Sequence, residues 1–366
     1  MSVRVLHVLS TAQREGTSIV RYLQTLVRGL DPDYRHHAWF LLSDGPLVAE
    51  LSAHRVEARS VLWRPSPRDP MGAVRFWREL RRERPAIVHQ HFGSRHLRRL
   101  VRAAGDARIV VDFHALADET RHPLPVALCT RLADAAIAHS GAVARQTGPL
   151  QASVIPPPVE APPKVIRPPL GTAGELVIGT ASRLVPLKAI EILISACARM
   201  VADFPRLRLE VAGSGPEEPF LRAEAQRLAV GSHVRFLGWQ PTLESCWPRW
   251  HVYAHSSRIE AASYSILEAM AFGVPVVACR VGGVPEMMEA GRTGSLVPPD
   301  DPEALAAALT ALLRDPALCA RYGAAGRRRV LDCNGPALAA ARVQAIYDRL
   351  LGVEVGANTQ PGRAAS

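Results

Sequence analysis

The chain has 366 residues, is 48% hydrophobic and carries a formal net charge of +10, so it holds enough apolar material for two ordinary domains with full cores. No window approaches the run of about 18 apolar residues that spans a membrane, and the apolar stretch from Val3 stops at Ser10 without a basic lead, so neither a span nor a secretory leader is expected. The six cysteines, Cys129, Cys197, Cys246, Cys279, Cys319 and Cys333, are scattered with no CxxC spacing, which argues against a cysteine zinc site and for a reduced, cytoplasmic protein.

Val3 to Leu9 reads as a buried strand and Thr17 to Leu30 as an amphipathic helix, with Gly16 in the loop between them. Asp31 to Asp33 is a literal DxD, but Pro32 inside it makes a turn of it rather than a metal site. His37 to Leu42 is the next strand and Met71 to Arg82 the next helix. In that helix the stretch RFWRELRRERP has Phe76, Trp77 and Leu80 as an apolar side, and residues 64–102 hold eleven arginines against Asp69, Glu79 and Glu83. Such a segment suits peripheral contact with an anionic membrane surface. A solvated helix face beside an acidic element is the plainer alternative, and no recognised nucleic-acid-binding module accompanies the charge.

Ile87 to Gln90, Ile109 to Phe113 and Ala135 to Ala138 are further strands, so the first part of the chain has the alternation of a parallel sheet with helices on both faces. The proline-rich run from Val154 to Gly171 can be neither helix nor central strand and is the natural linker. Alternation resumes with a strand at Leu176 to Thr180, a helix at Ala189 to Val201, and strands at Arg208 to Ala212, Val234 to Leu237 and Trp250 to His255. A helix at Tyr264 to Phe272 is closed by Gly273, and a buried strand from Val274 to Ala278 leads to a Gly282-Gly283 turn and another helix. Pro336 to Leu351 is the last helix, and residues 352–366 read as a disordered tail. Two doubly wound α/β domains facing a cleft are expected, with ligands at the carboxyl ends of the strands.

The most informative segment is Ser257 to Ala278, where Glu260 and Glu268 lie on either side of a strand-to-helix turn. Ser263 suits an N-cap, which would leave the amides of Tyr264, Ser265 and Ile266 at the positive end of the helix dipole, a place for phosphate that needs no metal. Carboxylates at Glu260 and Glu268 suit sugar hydroxyls; a helix cap and a surface ion pair are the alternatives. Lys188 stands out because Lys164 is the only other lysine. His89 and His91 share one face of a strand, but no carboxylate or third ligand follows at metal spacing.

From Gly179 to Pro302 these segments resemble the retaining glycosyltransferases of family 4, which have the GT-B fold and an E-x7-E motif. The segment GTASRLVPLKA resembles that family's G-R-L-x-x-x-K-G, which implies that Arg183 and Lys188 bind the donor's diphosphate. The resemblance further implies a glycine turn beside the nucleotide at Gly213 and Gly215, and a phosphate- or acceptor-side loop at Gly16. It places His114 against the donor sugar, Glu260 on the hexose and Glu268 on the ribose. Ala189 and Ala261 stand where the family has glycine.

The resemblance implies an acceptor-side domain over 1–160, with helix 336–351 packing back on it, and a nucleotide-sugar domain over 161–335. The implied reaction is retaining transfer from a nucleoside diphosphate sugar, a uridine diphosphate sugar first, to an acceptor glycan, glycolipid or small molecule. No metal or other cofactor is implied. Two other readings share the sheet: an inactive sugar-nucleotide binder, and a nicotinamide oxidoreductase, against which the lack of a GxGxxG at Gly16 argues.

Overall fold

The computed structural model describes residues 2–12, 17–66, 68–91, 94–116, 132–148, 150–165 and 174–353. Gly16 and residues 354–366 of the expected tail lie outside them. Short runs of aliphatic residues buried on both faces form parallel strands, because only helices on either side can cover them. The first sheet contains β1 (Val3–Thr11), β2 (Tyr34–Ser43), β3 (Val56–Ser60), β4 (Ile87–Gln90), β5 (Arg108–Phe113), β6 (Ala135–Ala138) and β7 (Ser153–Val154), in the order β3-β2-β1-β4-β5-β6-β7. The second contains β8 (Leu176–Ala181), β9 (Leu207–Ala212), β10 (Val234–Gly238), β11 (Val252–His255), β12 (Val276–Cys279) and β13 (Gly294–Val297), in the order β10-β9-β8-β11-β12-β13.

The order reverses between β1 and β4 in one sheet and between β8 and β11 in the other. At such a switch point the loops leaving adjacent strands diverge and open a crevice at the carboxyl edge. The loops after β8 and β11 carry Lys188 and Glu260, so the second switch point brings the two sequence motifs together. Two doubly wound α/β domains with facing carboxyl edges make this a GT-B architecture.

The last helix, Pro336–Leu351, buries Ala339, Ala340, Val343, Ile346 and Tyr347 in a core shared with Val5, Tyr22 and Leu26 of the first domain. Asn334, just before it, donates to Pro157 O at 3.0 Å and accepts through its own carbonyl from Val159 N at 2.9 Å, so the proline-rich crossing is tied to the returning helix. Asp31 holds the turn before β2 by accepting from Asp33 N at 2.8 Å.

The arginine-rich helix spans Pro70–Glu83 and starts at Asp69, whose side chain accepts from Gly72 N. Of its three apolar-side residues, Phe76 and Leu80 face inward and Trp77 is half-buried. Phe76 and Leu80 are buried, with the Phe76 ring 5.5 Å from that of Trp39 and 4.8 Å from that of Trp63. Burying such side chains stabilises by about 1.5–3 kcal/mol each, and that driving force is used within the domain's own core. Met71 and Val74 remain exposed in its first turn. A hollow of about 550 Å³ lies at the other end of this helix, by Arg84, Ala86 and Arg108, next to the amino ends of β4 and β5 and opposite the cleft. No helix among the described residues is long and apolar enough to cross a membrane.

Candidate active site

On the second domain, the loops after β8 and β9 lock together. Ser182 N donates to Ala212 O and Leu184 N to Ser214 O, both at 3.0 Å. Gly213 has φ +135°, and a Cβ there would lie 1.8 Å from Ser182 O, so only glycine permits this approach. Gly213, Gly215 and Arg183 are thereby gathered on one rim. Arg183 is exposed, its carbonyl accepts from Val185 N at 3.1 Å, and its side chain has no hydrogen-bond or ion-pair partner among the described residues.

A short 3₁₀ turn, Pro186–Lys188, follows, and Ala189 turns the chain into the helix Ile190–Met200 with φ +48°. The turn does demand a left-handed residue at the position where the resemblance expects glycine. Ala261, the other departure, has no positive φ; it is buried beside Leu116 and Val143 of the first domain. Lys188 Nζ donates to Glu260 Oε2 at 2.7 Å, and His255 Nε2 donates to the same oxygen at 2.9 Å. Burial would raise the Glu260 carboxyl, but the charge of Lys188 and the hydrogen bond from His255 outweigh it and hold the group at about 2. Ser256 Oγ donates to Lys188 O at 2.9 Å, and Gly283 N to Glu260 O at 2.9 Å, so both backbones are fixed. The residues expected on diphosphate and on the hexose therefore meet at one ion pair, with two of the three ammonium donors of Lys188 left over.

The helix Tyr264–Ala271 starts at Ser263, whose Oγ accepts from Ile266 N at 3.4 Å. That cap removes the Ile266 amide from the set expected to face phosphate. The amides of Tyr264 and Ser265, in the first turn, have no carbonyl to reach within the helix. The Ser265 hydroxyl is anchored by the Tyr253 hydroxyl at 2.7 Å. The Tyr264 ring reaches into the first domain's core, and its hydroxyl is buried without a hydrogen-bond partner among the described residues. Glu268 meets Arg21 of the first domain at 3.5 Å; burial raises its carboxyl and Arg21 opposes the rise. Glu268 thus spans the cleft in an ion pair rather than standing free.

The first domain's edge is a buried histidine cluster that the sequence does not announce. His36 Nδ1 lies 3.0 Å from His7 Nε2, His7 Nδ1 3.1 Å from His91 Nε2, His91 Nδ1 3.0 Å from His114 Nε2, and His114 Nδ1 2.9 Å from His139 Nε2. His139 Nδ1 donates to Ile155 O at 2.9 Å. Asp112 sits among these rings, 3.1 Å from His139 Nε2 and 3.4 Å from His89 Nε2, with neither carboxylate oxygen receiving a hydrogen bond from the described residues. Burial pushes His114 down to about 3 despite Asp112, so its ring is neutral. Burial would lower His139 too, but the charge of the neighbouring Asp112 raises it. His114, expected against the donor sugar, has both ring nitrogens engaged inside its own domain, so this arrangement offers the cleft no free nitrogen.

The domains also touch directly. Glu286 accepts from Gly141 N at 2.5 Å and Ala142 N at 2.8 Å, at the start of the short helix Gly141–Ala144.

A GT-B protein with a lysine–glutamate pair at the switch point of its second sheet is the class this geometry defines. Residues 164–329 match the family model of glycosyl transferases group 1. A GDP-mannose-dependent alpha-(1-6)-phosphatidylinositol monomannoside mannosyltransferase of Mycolicibacterium smegmatis is 37% identical over 173 residues, 44% of this chain and 45% of that protein. A D-inositol 3-phosphate glycosyltransferase of Streptomyces avermitilis is 36% identical over 179 residues, 46% of this chain and 38% of that protein. The matches thus span less than half the length of these curated relatives. Among solved structures, Anabaena HepE in complex with UDP and glucose superposes with a TM-score of 0.81 at 19% identity, covering 94% of this chain and 99% of that one. Sucrose-phosphate synthase of Thermosynechococcus elongatus gives 0.77 at 20% identity, covering 96% and 100%. At such identities the likeness establishes the fold.

Proposed function

We propose that the protein is a retaining, metal-independent glycosyltransferase that moves a sugar from a nucleoside diphosphate sugar to an acceptor hydroxyl. The observation that carries this reading is the buried Lys188–Glu260–His255 node, set between the Gly213 turn and the start of the helix Tyr264–Ala271. The spare donors of Lys188, the exposed Arg183 and the amides of Tyr264 and Ser265 can surround a diphosphate with positive potential. Such fixed donors stabilise the leaving group more as its charge grows. Glu260, kept ionised, accepts hydroxyls of the transferred sugar, and Glu268 exchanges Arg21 for the ribose.

In the transfer, the bond from the anomeric carbon to the β-phosphate oxygen breaks through an oxocarbenium-like state. The acceptor oxygen bonds to the same face, and its proton passes to the departing phosphate. A role for His114 toward the sugar requires its hydrogen bond to His91 to open first.

A uridine diphosphate sugar is the first donor to test, because UDP occupies HepE, which this chain matches over nearly its whole length. A guanosine diphosphate sugar is the second, after the mannosyltransferase relative. Uridine or guanosine diphosphate at millimolar concentration should raise the melting temperature equally with and without magnesium, and Lys188→Ala should abolish the shift. No shift with either nucleotide rejects the proposal. Hydrolysis of a panel of donors without acceptor then identifies the sugar. For the arginine-rich face over 64–102, sedimentation with vesicles of anionic or neutral lipid tests membrane contact, and equal partition disposes of it.

A further inference from the structure

His89 and His91 lack a third ligand in the sequence, and folding supplies what is missing. His91 Nδ1, His114 Nε2 and Asp112 Oδ2 lie 3.0, 3.6 and 3.8 Å from one another. The point equidistant from the three atoms is about 2.0 Å from each, which is the length of a zinc–imidazole or zinc–carboxylate bond. We propose that these three atoms form a binding site for one divalent transition-metal ion of the zinc class, clamping the carboxyl ends of β4 and β5 in the first domain.

Three independent observations support the site. The donor set of two imidazoles and one carboxylate suits zinc and its neighbours, whereas magnesium and calcium prefer oxygen alone. Asp112 is only 1% exposed, carries its charge among imidazoles, and has two oxygens without hydrogen bonds among the described residues, so a cation at this point would satisfy a buried anion that otherwise has only weakly aligned partners.

The surroundings also fit. A ligating histidine donates its other N–H to an acceptor that fixes the ring. With the ion bound, His114 Nδ1–H donates to His139 Nε2, while the Nδ1–H of His139 stays on Ile155 O. On the other side His91 Nε2–H donates to His7 Nδ1, and His7 Nε2–H to His36 Nδ1. His7, His36, His91 and His114 then each have a tautomer compatible with the next ring, the Nε2 lone pair of neutral His139 lies 3.1 Å from Asp112 Oδ1, and the ion replaces the single His91–His114 hydrogen bond. The side chain of His114 is 13% exposed, which gives the ion a route from the cleft. The adjoining trio His7, His89 and His91 has ligand spacing but contains no carboxylate ligand.

The test uses the untagged full chain, loaded with Zn²⁺, desalted and analysed for metal, with affinity from competition against a chromophoric chelator. One equivalent is expected. Asp112→Asn and His91→Ala should each weaken binding more than about 100-fold, beyond the loss that removing an outer-shell partner causes, and His139→Gln by about 10- to 100-fold. His54→Ala, outside the cluster, should change nothing. Undiminished affinity in Asp112→Asn overturns the site, and so does a wild type that retains no metal. Should Asp112→Asn not fold, the wild type decides with Co²⁺: the intense visible absorption of a four-coordinate ion supports the site, and only the weak absorption of a six-coordinate ion overturns it.

Discussion

The two faces of the cleft handle a buried carboxylate in opposite ways. On the second domain, Glu260 is met by a full positive charge at 2.7 Å and a histidine at 2.9 Å on the same oxygen. On the first, the ion-pair partners of Asp112 among the described residues are histidines alone, at 3.1 to 3.8 Å. A permanent cation makes an environment that an anionic ligand can enter by displacing one pair member. A shell of imidazole rings without a permanent cation is instead rich in lone pairs, so it attracts protons or a metal ion. The difference is one of local charge, since both carboxylates are buried near strand ends.

Removing the fixed cation is the most severe way to test that contrast. Lys188→Ala strands Glu260 in a dry site, and breaking a buried pair from one side costs about 3–5 kcal/mol. Urea unfolding at neutral pH should show a loss of that order, and Lys188→Met with Glu260→Gln should recover most of it. A single-variant loss below about 1 kcal/mol, the range of an exposed pair, would mean that Glu260 is solvated and the two faces are alike.

The same pair should appear in the pH dependence. Glu260 is held at about 2 in the folded chain against an ordinary 4.5, and a shift of that size corresponds to about 3 kcal/mol. Because the folded value is depressed, the contribution is complete above about pH 4.5 and fades as pH falls toward 2. The stability gap between wild type and Glu260→Gln should therefore be largest near neutrality and close on the acid side of that window. A gap constant down to pH 3 would assign the stabilisation to packing instead.

The contrast also explains what the sequence reveals. On the second domain each motif is local: Arg183 and Lys188 share one loop, Gly213 and Gly215 one turn, and Glu260 to Glu268 one loop and helix start. Spacing alone nearly places them. What spacing could not show is that Ser263 claims the Ile266 amide, or that Glu268 crosses to Arg21, because both depend on side-chain direction. On the first domain the cluster draws on five separate strand regions, with His7, His36, His91, Asp112 with His114, and His139 each contributing separately.

Only register joins them: His7 pairs with His89 across β1 and β4. The available signal was a histidine within or just after one apolar strand after another, as in VLHVLS, VHQHFG and VDFHAL. Composition and packing hide other features in the same way. The helix Arg95–Ala104 is so rich in arginine that composition masks its period, although Ser94 caps it. The apolar side of the helix Pro70–Glu83 is legible in the sequence, but its direction toward Trp39 and Trp63 follows from packing.

A gentler perturbation tests how the faces are held together. Glu286 presents its carboxylate to two amides at the start of the helix Gly141–Ala144, and losing such a cap costs about 1 kcal/mol. Glu286→Ala should lower stability by that amount and raise the radius of gyration in small-angle scattering without nucleotide. An unchanged radius would show that closure rests on the apolar contacts of Leu116 and Ala261 instead.

The smallest effect concerns a residue that the sequence itself marks. Ala189 is buried with φ +48°, directly after Lys188. A left-handed residue other than glycine carries a penalty of roughly 1–2 kcal/mol, whereas glycine adds entropy to the unfolded chain worth roughly 0.5–1 kcal/mol. Ala189→Gly should therefore stabilise by about 0.5–1 kcal/mol, the difference between these two terms. Since Lys188 immediately precedes this position, relief of strain should leave the lysine–glutamate distance alone, and nucleotide-induced melting shifts should match the wild type. If the variant is instead destabilised, the methyl group's contacts in the second domain outweigh the backbone term. If stability rises but nucleotide affinity falls, the alanine is holding Lys188 toward Glu260, and the fixed cation that sets this face apart depends on backbone strain next to it.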